Sequence, residues 1–153
     1  MEEYVFLTEK NFSRLKAEIA KIRNKNPASR IVFSSEDDEL NRQVLEKAKI
    51  DLLLLPLLQR RDFSKQRNSG FNMVLANIAK KNKIEIGIDL DELNSESKKI
   101  KSEILARIIQ NIALCKKKKI MMKFISKKGK MNEYLVKSLG SSLGMPPWMT
   151  KNI

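Results

Sequence analysis

The sequence predicts an α/β fold with parallel strands, and three observations carry that prediction. Five short apolar runs, at residues 4–7, 31–33, 50–55, 84–88 and 120–125, alternate with segments whose apolar side chains recur at helical spacing. The third run, IDLLLLP, is too apolar for a surface strand and too short to cross a membrane, so it reads as a strand covered on both faces and stopped by Pro56. With 153 residues, 42% of them apolar and 32% charged, the chain suits one globular domain over 1–153. Two architectures satisfy the alternation. A doubly wound five-stranded parallel sheet is filled naturally by five β/α units, whereas a (β/α) barrel normally needs about 250 residues. The pattern alone favours the sheet.

Each element has its own justification. Residues 4–7 form the first strand, after which Thr8 caps a helix carrying Phe12, Leu15, Ile19 and Ile22 on one face. Pro27 marks the turn into the second strand, 31–33. Ser34 or Ser35, followed by Glu36, Asp37 and Asp38, predicts the next helix start, with acids well placed on its dipole and Leu40, Val44, Leu45 and Ala48 facing the core. The strand at 50–55 opens into a cationic loop, and a helix bearing Phe71, Val74, Leu75 and Ile78 follows, with Asn68 or Ser69 as its cap. Ile84, Ile86 and Ile88 belong to a fourth parallel strand. Residues 96–117 form a long helix with Ile100, Ile104, Leu105, Ile108 and Ile112 in register, leading into the fifth strand, 120–125. A second cationic loop covers 126–130, a fifth helix carries Tyr134, Leu135, Leu139 and Leu143 up to Gly144, and MPPWMTKNI trails off.

The net charge is +13, and it is lopsided. Residues 1–50 hold ten Lys/Arg against nine Asp/Glu; residues 51–153 hold twenty-one against nine. An excess confined to the later two-thirds points to a polyanionic partner, nucleic acid or an anionic membrane surface, in preference to a merely solubilising lysine surface. The chain has no histidine, which removes the usual general base, most catalytic triads and most transition-metal sites. Cys115 stands alone and suits a reducing compartment. The opening MEEYVFLTEK is acidic where a secretory signal is basic, so the expectation is a soluble, cytoplasmic protein with no membrane partner.

In either architecture the carboxyl ends of all strands open on one edge, which brings the loops after the third and fifth strands onto a common rim. The candidate phosphate-neutralising residues are Arg60, Arg61, Lys65 and Arg67 on the first loop and Lys127, Lys128 and Lys130 on the second. Arg60 and Arg61 are the more specific, because a guanidinium grips phosphate with a planar fork. Lys116 to Lys119 precede the fifth strand and belong to the opposite end; they read as a solvated helix end favoured by the dipole, with a separate contact as the alternative. Phe63 is the one ring within the first loop, thin support for base stacking. An enzyme reading would place magnesium on Asp37, Asp38 or Asp89, but capping and helix-entrance roles already account for these acids.

LLLLP followed by RRD and then SGFNMVLANIA resembles the archaeal and eukaryotic ribonuclease P protein subunit of the thirty-kilodalton type, called component three in archaea. EIGIDLDEL, ILARIIQNIALCKKKKI and YLVKSLGSSLGM resemble that family's later elements in the same order. The resemblance implies a TIM-barrel-like (β/α) fold related to metal-dependent phosphoesterase barrels, abbreviated here to about five β/α units. It implies a subunit that binds RNA without catalysing, holds no cofactor, and supports the catalytic RNA and its magnesium in removing the 5′ leader of precursor tRNA. Its implied partners are the ribonuclease P RNA, precursor tRNA indirectly, and a small ferredoxin-like protein subunit. The chain departs from the family pattern where FSKQRN separates RRD from SGFN, and where Lys127 and Lys128 follow Ser126. The rivals are a magnesium-dependent nuclease using the rim aspartates and a protein-interaction module with a basic surface.

Overall fold

A computed structural model describes residues 3–94, 97–151 and 153. Its elements run β1 (Tyr4–Leu7), α1 (Phe12–Lys25), β2 (Arg30–Phe33), α2 (Asp38–Lys47), β3 (Leu52–Leu54), α3 (Met73–Lys81), β4 (Glu85–Asp89), α4 (Leu90–Asn94), α5 (Lys98–Lys118), β5 (Met122–Ile125), α6 (Glu133–Ser142) and α7 (Pro147–Thr150). All four strand pairings are parallel and the sheet order is β1-β2-β3-β4-β5. Among the described strands, space therefore follows sequence without a reversal of order.

The side chains record the consequence. Alternate residues of the strands, among them Ile31, Phe33, Leu53, Ile86, Ile88, Met122 and Phe124, join one large core with buried residues from every helix: Leu15, Val44, Ala76, Leu93, Ile108, Val136 and Met149 are examples. The other strand face holds a separate apolar group, Val32, Leu52, Leu54 and Ile125 with Tyr4 and Phe6 against it, to which no helix contributes. Val32 and Leu52 are nonetheless fully buried. This face is thus buried without a helix over it, and Lys127, beyond β5, reaches a point 5.0 Å from the centre of the Phe6 ring on β1. At the opposite end of that face Glu85 meets Arg30 at 2.6 Å and Lys123 at 4.0 Å.

Helix starts fall later than the sequence suggests. Asn11, Asp37 and Asn72 are the caps of α1, α2 and α3, in place of Thr8, Ser34 or Ser35, and Asn68 or Ser69. The earlier residues stay in the strand-to-helix loops, where Ser35 Oγ accepts the Asp37 N–H and Asn68 Oδ1 accepts the Gly70 N–H. On α3, Leu75, Ala76 and Ala79 face the core and Val74 is exposed. Likewise α6 buries Val136 and Gly140, leaving Tyr134 and Leu135 in solvent. The predicted start of the long helix at Glu96 lies outside the described residues; Ser97 caps α5. The terminal segment does not trail off, because α7 tucks Met149 into the core and Met145 is buried just before it. Among the described residues no helix is long and apolar enough to cross a membrane.

Candidate nucleic-acid interface

Parallel pairing carries the exits of β3, β4 and β5 to one edge, with β4 in the middle. The two cationic loops thus flank α4, whose acids hold both. Glu92 accepts the Leu57 N–H on the first side at 3.0 Å. Asp91 accepts Ser126 Oγ–H at 2.7 Å and the Lys127 N–H at 2.8 Å on the second.

The loop after β3 is fastened from beneath by α5. Arg107, with a side chain only 4% exposed, donates Nε to the Asn68 carbonyl at 3.1 Å and Nη2 to the Arg60 carbonyl at 2.9 Å; Nη2 also pairs with Asp62 at 3.1 Å and Nη1 reaches the Leu57 carbonyl at 3.4 Å. One turn on, Asn111 donates to the Ser69 carbonyl and Gln110 to that of Arg67, each at 3.3 Å. Asp62 also accepts the Asn68 N–H. Between these fixed points FSKQRN closes on itself: the Phe63 N–H donates to Gln66 O at 2.8 Å and the Gln66 N–H returns to Phe63 O at 3.4 Å. A compact turn results, projecting from the rim with Phe63 63% exposed.

The seven candidate residues separate into different situations. Arg61, Lys65 and Arg67 are exposed around the turn, and Lys128 and Lys130 are exposed on the second loop. Lys127 is exposed too, with its ammonium over Phe6. Arg60 points inward: it is 8% exposed, donates Nε to the Pro56 carbonyl at 2.8 Å and forks Nη1 onto the Asp38 carboxylate at 2.9 and 3.0 Å. Through Nε and Nη1 the guanidinium ties the loop to α2. Arg107, for its part, is a fastener and not a surface charge.

The carboxylates titrate according to these contacts. Burial pushes the Asp91 carboxyl up, but the Ser126 hydroxyl, the Lys127 N–H and the Lys128 charge outweigh it and hold it below the ordinary 3.8. Asp62 is lowered chiefly by the Asn68 N–H, against desolvation and with help from Arg107. Burial raises Glu92, and the nearby Asp89 charge adds to it, against the Leu57 N–H. Because folding lowers the Asp91 pKa, its contribution to stability is present above the unfolded carboxylate value and is lost as pH falls through the folded one. Asp91→Asn should therefore lower the thermal midpoint at neutral pH and converge with the parent in acid. A gap that persists below the carboxylate range would assign the loss to packing.

The aspartates of the nuclease alternative are spoken for. Asp37 accepts the Glu39 and Leu40 N–H groups, Asp38 holds Arg60, and Asp89 accepts the Asp91 N–H. Among the described residues no three His, Cys, Asp or Glu side chains are grouped so as to hold a metal ion.

Sequence reasoning missed the clamp made by α4 and the fastening face of α5. The second left a signal: Arg107 and Asn111 recur at helical spacing with Ile104 and Ile108, polar residues on an apolar face.

No protein-family model matches the chain. It is 29% identical over 113 residues to ribonuclease P protein component 3 of Methanococcus maripaludis strain C7, a match covering 74% of this chain and 45% of that protein. It is 31% identical over 111 residues to the component 3 protein of Methanosarcina acetivorans, covering 72% and 43%. The chain thus spans less than half the length of these relatives. Its fold matches a chain in a cryo-EM structure of archaeal ribonuclease P with mature tRNA, with a TM-score of 0.80 at 23% identity, over 97% of this chain and 62% of the other. Over about three quarters of its length, this chain is a homologue of ribonuclease P protein component 3.

Proposed function

We propose that the chain is a non-catalytic RNA-binding subunit of ribonuclease P, built as an abbreviated barrel-like (β/α) fold akin to the metal-dependent phosphoesterase barrels. The strand order, the packing of the described helices on one core and the burial of the strand face that no helix covers support the barrel reading. Its partners in this reading are the ribonuclease P RNA, precursor tRNA indirectly and a small ferredoxin-like subunit, in the cytoplasm. The RNA and its magnesium perform the cleavage; the protein neutralises and positions phosphates.

One observation carries the proposal: Arg61, Lys65 and Arg67 are exposed on a turn whose base is bonded to α5 through Arg107, Gln110 and Asn111. Rigid presentation matters because a cation already held in place loses less freedom on meeting a phosphate. The alanine variant of Arg61, Lys65 and Arg67 should keep the parent's thermal midpoint while its log–log salt dependence of RNA affinity becomes shallower by roughly 2–3. Reconstitution with a cognate ribonuclease P RNA and the small protein subunit tests the function. Precursor cleavage should rise on adding the parent and rise less with the variant. Cleavage by the protein alone would overturn the non-catalytic reading.

A further inference from the structure

The helices α3 and α5 end side by side at the edge opposite the rim, where β4 and β5 begin, and they end in the same way. The Ile84 N–H reaches back to Ala79 O at 2.9 Å and the Ile120 N–H to Cys115 O at 2.9 Å. Such a closure leaves one residue in the left-handed conformation, and here these are Lys83 and Lys119, each with φ 56°. The same chain closes α6 with the equivalent bond, from the Met145 N–H to Gly140 O, and places Gly144 at the left-handed position with φ 102°. Glycine adopts that conformation freely, whereas a side chain with a Cβ is strained there. Twice, lysine stands where glycine would be cheaper. The helix dipole asks for cations in the last turn but for none at these strained positions.

The two ends are joined. Lys80 Nζ donates to the Lys119 carbonyl at 3.2 Å. Lys80, Lys83 and Lys119 line a cleft of about 250 Å³ floored by Ile84, Ile120 and Met121. Its one acid, Glu85, is already held by Arg30 at 2.6 Å. Lys81, Lys116 and Lys117 stand exposed on the same helix ends. Among the described residues the charged side chains exposed on these helix ends are lysines, compact charges suited to phosphates irrespective of base. Ile84 and Ile120 are buried, so these helix ends offer no aliphatic wedge to a bilayer.

We propose that this edge is a second nucleic-acid contact, in which Lys80, Lys83, Lys119 and their neighbours grip the phosphates of an RNA backbone. It stands independently of the rim: a chain with both contacts is held by RNA at both ends of its strands.

The test uses Lys83→Gly with Lys119→Gly, which removes two charges while relieving two strained residues, so the thermal midpoint should hold or rise. A second variant, Lys81→Gln, Lys116→Gln and Lys117→Gln, leaves both helix closures untouched. Each is titrated with a fluorescently labelled short RNA duplex over a salt series, and with phosphatidylserine–phosphatidylcholine vesicles. The salt slope should become shallower by roughly 2 for the glycine pair, both in the parent and in the background lacking Arg61, Lys65 and Arg67. A slope that drops only when Lys83 and Lys119 are removed supports this edge even where the rim contributes nothing. An RNA slope unchanged in both lysine variants, or a loss confined to vesicle binding, overturns the proposal.

Discussion

Arg107→Ala should lower stability by about 3 kcal/mol, the scale expected when a buried cation that satisfies several acceptors is removed. At this chain length the thermal midpoint should fall by roughly 6–12 °C. The cause is local and countable. The carbonyls of Leu57, Arg60 and Asn68 lose their donor together, and no other side chain of α5 reaches those three. Arg107→Lys should recover little of the loss, because one ammonium cannot replace a planar fork directed at separated acceptors. Hydrogen exchange should quicken across the loop after β3 before it does so in the strands. RNA affinity should drop as well, although Arg107 offers no surface to RNA, since the turn bearing Arg61, Lys65 and Arg67 would lose its base. Retained stability with weakened RNA binding would mean that Arg107 meets RNA directly.

Gly70→Ala is the second large effect, at about 2–4 kcal/mol. Gly70 has φ +71°, and a Cβ there would sit 2.3 Å from Arg60 Cζ. The substitution must therefore both strain the backbone and expel a guanidinium that is bonded to Pro56 and Asp38. The double-mutant cycle separates the two causes. In an Arg60→Ala background the clash is gone and the backbone term of about 1–2 kcal/mol should remain. Equal costs in both backgrounds would show that Arg60 already yields in the parent. Arg60→Ala by itself should also be destabilising, which reverses the expectation drawn from the charge pattern that both arginines of RRD are surface residues.

The contrast between Arg60 and Arg61 shows where the sequence stops being legible. Adjacent, identical in chemistry and flanked by a loop, they are indistinguishable to composition and periodicity. One turns its side chain inward to Asp38, on another β/α unit, and the other stands exposed. Arg107 left only a partial signal, as a polar residue on an apolar helix face. Among so many lysines it counted as one more positive charge, and only the fold brings it beneath the loop it holds, more than 40 residues away in sequence. Lys83 and Lys119 gave no pattern signal at all, since a left-handed φ at a non-glycine residue leaves no mark in hydropathy. The errors in α3 and α6 share one origin. Apolar spacing on a short helix does not distinguish neighbouring stripes: Leu75, Ala76 and Ala79 are buried on α3 and Val136 and Gly140 on α6, while Val74, Tyr134 and Leu135 are exposed.

By itself the sequence determined the number of the strands and their places along the chain, their parallel pairing, the core faces of α1, α2 and α5, and the homology to ribonuclease P protein component 3. These follow from local periodicity and from motifs contiguous in the chain, and burial enforces the periodicity wherever a helix covers a sheet. Tertiary structure alone decided the spatial order of the strands, the packing of the described helices on one core, the burial of the strand face that no helix covers, the inward turn of Arg60 and the meeting of lysines from α3 and α5. Those features depend on which residues of different β/α units come within a few ångströms. A charge is either consumed by such a contact or left for a partner, and its own sequence neighbourhood carries no trace of which.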